Sequence, residues 1–184
     1  MADFNKAYER MLKLEFSSAS DALHKNKNEK GLTFMGIYEG AHPSWRSWKT
    51  IKDILRACKD MKEASRLLYN DLATKADVKE FYLKEFWQRM RLDEIIGQKI
   101  AEEIFVFGVN ANHKPAVKLA QRIVGVKDDG IMGEQTIRAL NLYNEVKFDK
   151  EYDEAEKAFY DKIIKLHPEL DVNQRGWYRR AEAV

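Results

Sequence analysis

The sequence predicts an all-α protein with at most one small strand element. Apolar residues recur at three- and four-residue spacing along most of the chain, prolines number three and glycines nine in 184 residues, and one apolar stretch, residues 32–38, reads as a short strand or extended crossing segment. With 45% apolar and 34% charged residues, the chain can bury the core of one domain, or of one domain and a small lobe. Disorder and a collagen-like fold are excluded.

Phe4, Ala7, Tyr8, Met11 and Leu12 make the stripe of a first amphipathic helix, with Asp3 in the capping position and Leu14 and Glu15 next along it. Residues 24–30 are polar, rich in Lys and Asn, and without period, which is a loop. Past His42-Pro43, Trp45, Trp48, Ile51, Leu55 and Cys58 form one helical stripe, and Met61, Ala64, Leu67 and Leu68 a second. Val78, Phe81, Tyr82, Phe86 and Met90 mark another helix. Asp93 then caps one that buries Ile96, Ile100, Ile104 and Phe107 and ends at Gly108. Pro115 reads as the first residue of the next helix and Gly125 as its stop. Asp128-Asp129-Gly130 is a turn, Gly133 precedes a short helix through Ile137 and Leu140, and Tyr152, Ala155, Phe159, Ile163 and Leu166 make a final long helix closed by His167-Pro168.

Thirty-two Lys and Arg against thirty Asp and Glu leave a formal charge of +2, too balanced for a chain that coats nucleic acid, so no nucleic-acid partner is expected. The charged N-terminus lacks the apolar run of a signal peptide, and no stretch of ~18 apolar residues occurs elsewhere. The expectation is a protein made in the cytoplasm without membrane insertion. Cys58 is alone and reads as a small core hydrophobe. The four His residues lack His-Glu-x-x-His spacing, and a calcium loop centred on Gly130 would need Gly125 and Thr136 as its first and last ligands. No metal and no cofactor is expected.

Glu15 carries the most chemical information. A carboxyl group on the apolar face at a helix end loses hydration, and desolvation raises its pKa, as a general acid working near neutral pH requires. The plainer alternative is a carboxylate turned to water or paired with a lysine. Cleaving a glycosidic bond with one acid also needs a group that positions water or stabilises positive charge on the sugar, and Asp21 and Thr33 are the partners to consider. Their plainer readings are a loop or cap residue and an ordinary strand residue.

The runs Leu14-Glu15-Phe16-Ser17-Ser18-Ala19-Ser20-Asp21 and Lys30-Gly31-Leu32-Thr33-Phe34-Met35-Gly36-Ile37 resemble the start of the glycoside hydrolase family 108 muramidases. In that family a helix ends in Glu-Gly-Gly-Tyr, an Asp comes a few residues on, and a Gly-Gly-x-Thr-x-x-Gly-Ile segment is next. Further along, Phe105-Val106-Phe107-Gly108-Val109-Asn110 is similar to the family's buried helix. Gln121 with Val124-Gly125-Val126, and Asp129-Gly130-Ile131-Met132-Gly133-Glu134-Gln135-Thr136, resemble its peptidoglycan-binding module, and Gly176-Trp177-Tyr178-Arg179-Arg180 its closing segment. Phe16-Ser17-Ser18 departs from Gly-Gly-Tyr, the loop from Ala22 to Lys30 is longer, and Val106 stands where an Asp is often found.

The resemblance implies a lysozyme-like helical fold, with residues 1–92 as the catalytic region and 93–184 as a helical peptidoglycan-binding region packed on it. It implies hydrolysis of the β-1,4 bond between N-acetylmuramic acid and N-acetylglucosamine. Glu15 would be the acid, Asp21 the second carboxylate and Thr33 the water-positioning group, with Tyr38, Asn110 and Trp177 as substrate contacts. The polymer partner is wall peptidoglycan in the periplasm or outside the cell. Export then falls to a holin-like pore, lysis or a dedicated secretion system, as for an endolysin or prophage enzyme. A catalytically silent wall-binding or secretion-accessory protein of the same fold is the alternative. Lys25, Lys27 and Lys30, and Arg175, Arg179 and Arg180, read as solvated faces that can also meet an anionic wall polymer.

Overall fold

The N-terminal stripe folds as α1, Phe4–Glu15, and Asp3 caps it by accepting the Asn5 N–H on Oδ1 at 2.8 Å. The structure, a computed structural model, describes residues 1–15, 18–26 and 30–184. The Glu15 side chain, Phe16, Ser17 and residues 27–29, Lys27 among them, lie outside the described part. Downstream come α2 (Trp48–Ala57), α3 (Met61–Asn70), α4 (Leu72–Tyr82), α5 (Gln98–Ala111), α6 (His113–Ile123), α7 (Glu134–Leu142), α8 (Glu145–Leu166) and α9 (Gln174–Ala181). Among the described residues the sheet structure is one three-stranded antiparallel element, β1 (Leu23–His24), β2 (Thr33–Phe34) and β3 (Ile37–Tyr38). The fold is all-α with a minimal β component.

Contacts divide the chain into two units, Leu12–Tyr82 and Met1–Met11 with Leu83–Val184. In the first, Leu23, Phe34 and Ile37 occupy one sheet face and are sealed from water, together with Ile51 of α2, Ala64 and Leu68 of α3 and Val78 of α4. Met35 and Gly36 turn β2 into β3 with φ of 45° and 79°, the paired left-handed conformation of a two-residue hairpin. Gly36 adopts it freely, whereas Met35 is held there: its N–H bonds Ala22 O at 2.8 Å and its carbonyl accepts the buried Tyr82 hydroxyl at 2.7 Å.

The second unit is built on α5, which is buried from Ile100 to Gly108 and packs against α6, α8 and the π-helical turn Leu83–Gln88. Phe4, Trp87 and Phe105 meet edge to face with centroids 5.6 to 5.8 Å apart. Gly125, at φ 72°, ends α6 as expected, its N–H reaching Arg122 O and that of Val126 reaching Gln121 O.

Several local expectations shift. Ile96 is 63% exposed, because α5 begins after Gly97 and Asp93 lies in a 3-10 turn, Leu92–Glu94. Pro115 is the third residue of α6, where its missing N–H still forfeits no intrahelical bond, and Asn112 caps the helix. Cys58 lies partly exposed at the end of α2. The long helix α8 is not the last, since the short α9 comes after its stripe.

The Asp-Gly-x-x-Gly-x-x-Thr string proves to be a buried polar knot. Gln121 is 1% exposed; its Nε2 faces Asp129 Oδ1, Ile131 O and Thr136 Oγ1 at 3.0 to 3.1 Å, and its Oε1 accepts the Gly130 N–H at 2.8 Å. Donation from Gln121 is the largest influence holding the Asp129 carboxyl below the usual carboxylate range. Replacing Gln121 by Leu removes these contacts and leaves the buried Thr136 without its carboxamide partner, so Gln121→Leu should lower unfolding free energy by about 1–3 kcal/mol, read as a lower urea midpoint.

Glu103 and Glu156 are buried acids of the same unit, 0% and 3% exposed. Glu103 Oε1 lies 3.4 Å from Lys99 Nζ, which also sits 2.9 Å from Asp149, and oxygens of Glu103, Asp149 and Asp153 all fall within 4.8 Å of one another. Burial pushes Glu103 up to about 10, reinforced by the neighbouring Asp149 and Glu156, and pushes Glu156 to about 9. The folded protein thus keeps protons that the unfolded chain releases near 4.5, and the contribution of these groups to stability falls as pH rises from about 4.5 toward 9–10. Glu103→Gln should flatten that decline, raising the melting temperature at pH 9 but much less at pH 5.

Candidate active site

Glu15 is the last residue of α1, and the described chain resumes at Ser18. Ser18 to Asp21 is a tight turn. The Ser18 hydroxyl donates to Asp21 Oδ2 at 2.6 Å, and the Asp21 N–H reaches Ser18 O at 3.3 Å. Asp21 is exposed. The turn is pinned from below by Ser65 of α3, fully buried, whose hydroxyl donates to Ala19 O at 2.6 Å and accepts the Leu23 N–H at 2.9 Å.

Strand register determines which side chains share the polar face of the sheet. His24 lies opposite Thr33, and Thr33 opposite Tyr38, so these three occupy the face away from Leu23, Phe34 and Ile37. Asp21 O lies 3.1 Å from His24 Nδ1. A carbonyl only accepts, so Nδ1 carries the hydrogen and neutral His24 keeps a lone pair on Nε2. Thr33 is 6% exposed, and Tyr38 is half-buried with its ring against Gly40, where an added Cβ would come within 2.5 Å of Cζ. Behind them Glu39 ties the hairpin. It pairs with Lys52, which holds its carboxyl below the usual range, and accepts the Leu32 N–H at 3.2 Å.

The structure therefore brings Thr33 and Tyr38 together, with His24 beside them holding the Asp21 main-chain carbonyl, while the Asp21 carboxylate is engaged by Ser18. Asn110 and Trp177 belong to the other unit. Asn110 is exposed at the end of α5, bonded to Val106 O at 3.2 Å and to Arg180, and Trp177 stacks on Tyr160 with centroids 4.8 Å apart and planes 21° from parallel. Trp48 is a core residue, 4% exposed, donating its indole N–H to His42 O at 2.8 Å, and Trp45 meets it edge-on.

Residues 22–111 match the family described as Glycosyl hydrolase 108, and residues 115–182 match the Predicted Peptidoglycan domain. The chain carries a glycosyl hydrolase 108 domain followed by a predicted peptidoglycan domain. No curated protein matches it. The solved structure of Brucella abortus SagA is similar in fold, with a TM-score of 0.67 and 21% identity, covering 97% of this chain and 88% of that one.

The glycosyl hydrolase 108 match takes in His24, Thr33, Tyr38 and Asn110, while Glu15 and Asp21 precede it; Trp177 falls in the peptidoglycan domain. The two matched domains support a peptidoglycan-related glycosyl hydrolase, and no helix among the described residues is long and apolar enough to cross a membrane.

Sequence reasoning misses His24 and Ser65. A two-residue strand is too short to show alternation, so His24 reads only as loop. Ser65 does leave a signal, as a hydroxyl beside Ala64 and Leu68 on an apolar stripe. Ser65→Ala leaves the buried Leu23 N–H without its acceptor. We expect a loss of about 1–3 kcal/mol in stability and faster hydrogen exchange at the Leu23 amide.

Proposed function

We propose that the protein is a muramidase, hydrolysing the β-1,4 bond between N-acetylmuramic acid and N-acetylglucosamine with Glu15 as general acid. The observation that carries this reading is the order of the two domains, a glycosyl hydrolase 108 domain and then a predicted peptidoglycan domain, in one chain.

In this mechanism Glu15, at the end of α1, protonates the glycosidic oxygen as the C–O bond breaks. Asp21, exposed two residues before β1, faces the positive charge that develops on the sugar, and the Thr33 hydroxyl positions the attacking water. Tyr38, beside Thr33, offers a ring for the apolar face of a sugar, and Asn110 and Trp177 make further glycan contacts. Two-carboxylate chemistry of this kind calls for no cofactor. The protein meets its substrate in the periplasm or the outer wall, after passage through a holin-like pore or a secretion system.

A second reading is favoured by two observations. The hydrolase match begins at residue 22, and Phe16-Ser17-Ser18 stands where the family it resembles has Gly-Gly-Tyr. On that reading the protein binds walls, or serves secretion, without cutting them. Turbidity of purified wall suspensions separates the two. Wild type clears the suspension, and Glu15→Gln should clear it at least about 100-fold more slowly. Equal clearing by both removes Glu15 as the acid, and wall binding without clearing by wild type establishes the second reading.

A further inference from the structure

Helices α6 and α8 leave between them a groove of about 590 Å3, within the ~300–1,000 Å3 typical of small-ligand sites. Its floor is apolar, with Leu119 and Ile123 from α6 and Phe159, Ile163 and Leu166 from α8. Phe159 is braced edge-on against Phe107 at 5.2 Å, and Leu166 is left 69% exposed at one end. The rim is cationic. Lys114, Lys118 and Arg122 succeed one another at four-residue spacing along α6, and Lys162 stands on α8.

Arg122 is neutralised by Asp128 at 2.6 Å. Lys114, Lys118 and Lys162 form no ion pair among the described residues, and no acidic side chain lines the groove. Two of the lysines are also held in place. An added Cβ on Gly130 would fall 2.7 Å from Lys114 Cγ and 3.4 Å from Lys118 Cγ, so the turn that Gln121 anchors lies against both stems.

We propose that this groove binds the peptide stem of peptidoglycan. The inference rests on the reading of the protein as directed at the wall, and it adds which part of the polymer the second domain grips. The stem offers small apolar methyl groups and several free carboxylates, which match an apolar floor ringed by unpaired ammonium groups. The N-acetylated glycan offers hydroxyls and amides instead, and no carboxylate or amide side chain lines the groove to receive them. A concave site of this volume also suits a short ligand better than a bilayer surface.

The test is calorimetric titration of the full chain with N-acetylglucosaminyl-N-acetylmuramyl-tetrapeptide. Its N-acetylmuramic acid is the reducing end, so it lacks the bond from N-acetylmuramic acid C1 that a muramidase cuts, and binding is read apart from hydrolysis. Lys118→Glu/Lys162→Glu should weaken binding by about tenfold or more. Ala158→Trp, which fills the groove without altering charge, should weaken it comparably, with thermal melts confirming that both variants fold. Undiminished binding in both variants overturns the proposal. So does equal affinity for an uncharged N-acetylglucosamine tetramer, or groove-dependent binding of phosphatidylglycerol vesicles in place of the muropeptide. If the muropeptide does not bind while walls are still cleared, the groove assignment falls and the muramidase reading stands. If it binds in a groove-dependent way while walls are not cleared, the reverse holds.

Discussion

The arrangement of the candidate active site depends on the burial of Phe34. A two-residue strand has one side chain for each face of the sheet, so sealing Phe34 inside with Leu23 and Ile37 sends Thr33 to the opposite face, between His24 and Tyr38. A slip of one residue would move Thr33 onto the apolar face and turn Phe34 away from it. The register is locked at its turn, where Met35 keeps a left-handed conformation because Ala22 and Tyr82 hold both its backbone polar groups. A helix-borne hydroxyl, that of Tyr82, thereby fixes the polar face of a sheet too small to be stable alone.

The second unit handles buried polarity in two opposite ways. Around Gln121 every partner is supplied, the Asp129 carboxylate among them, and the knot defines one loop conformation. Around Glu103 the supply is incomplete. Among the described residues neither of its buried carboxyl oxygens has a hydrogen-bond partner, and Lys99 stands 3.4 Å away, shared with Asp149. A carboxyl so placed is cheapest to bury when protonated, which is why its pKa moves upward despite an ammonium nearby.

The helical frame is legible in the sequence because apolar stripes of ten or more residues determine both an element and its buried side. That is why α1, α6 and α8 appear where their stripes lie. The sheet is half legible. Residues 32–38 read as one extended segment, but the positive φ of Met35 that folds it into a hairpin is imposed by tertiary hydrogen bonds and leaves no local mark. His24 escapes for the same reason, since its place opposite Thr33 is a matter of register. The Asp-Gly-x-x-Gly-x-x-Thr string is visible as a motif, whereas its cause, the buried carboxamide of Gln121 eight residues upstream of Asp129, requires the fold.

The proposed division of labour comes from the chemistry of the polymer. Glycan strands are uncharged repeats, so a cleft that recognises only sugars gains little from long-range electrostatics. The stem peptides carry the carboxylates, and a cationic groove can attract them before any sugar is engaged. Two exposed lysines and a half-buried one make weak, salt-sensitive contacts, each worth only a fraction of what a buried pair contributes. Against a polymer with a stem on every repeat, weak contacts suffice, because each release leads to rebinding at high local concentration. A tighter groove would hold the protein at one stem and slow its passage to the next bond, so an exposed and unpaired lysine rim suits a wall-degrading enzyme better than a buried salt bridge would.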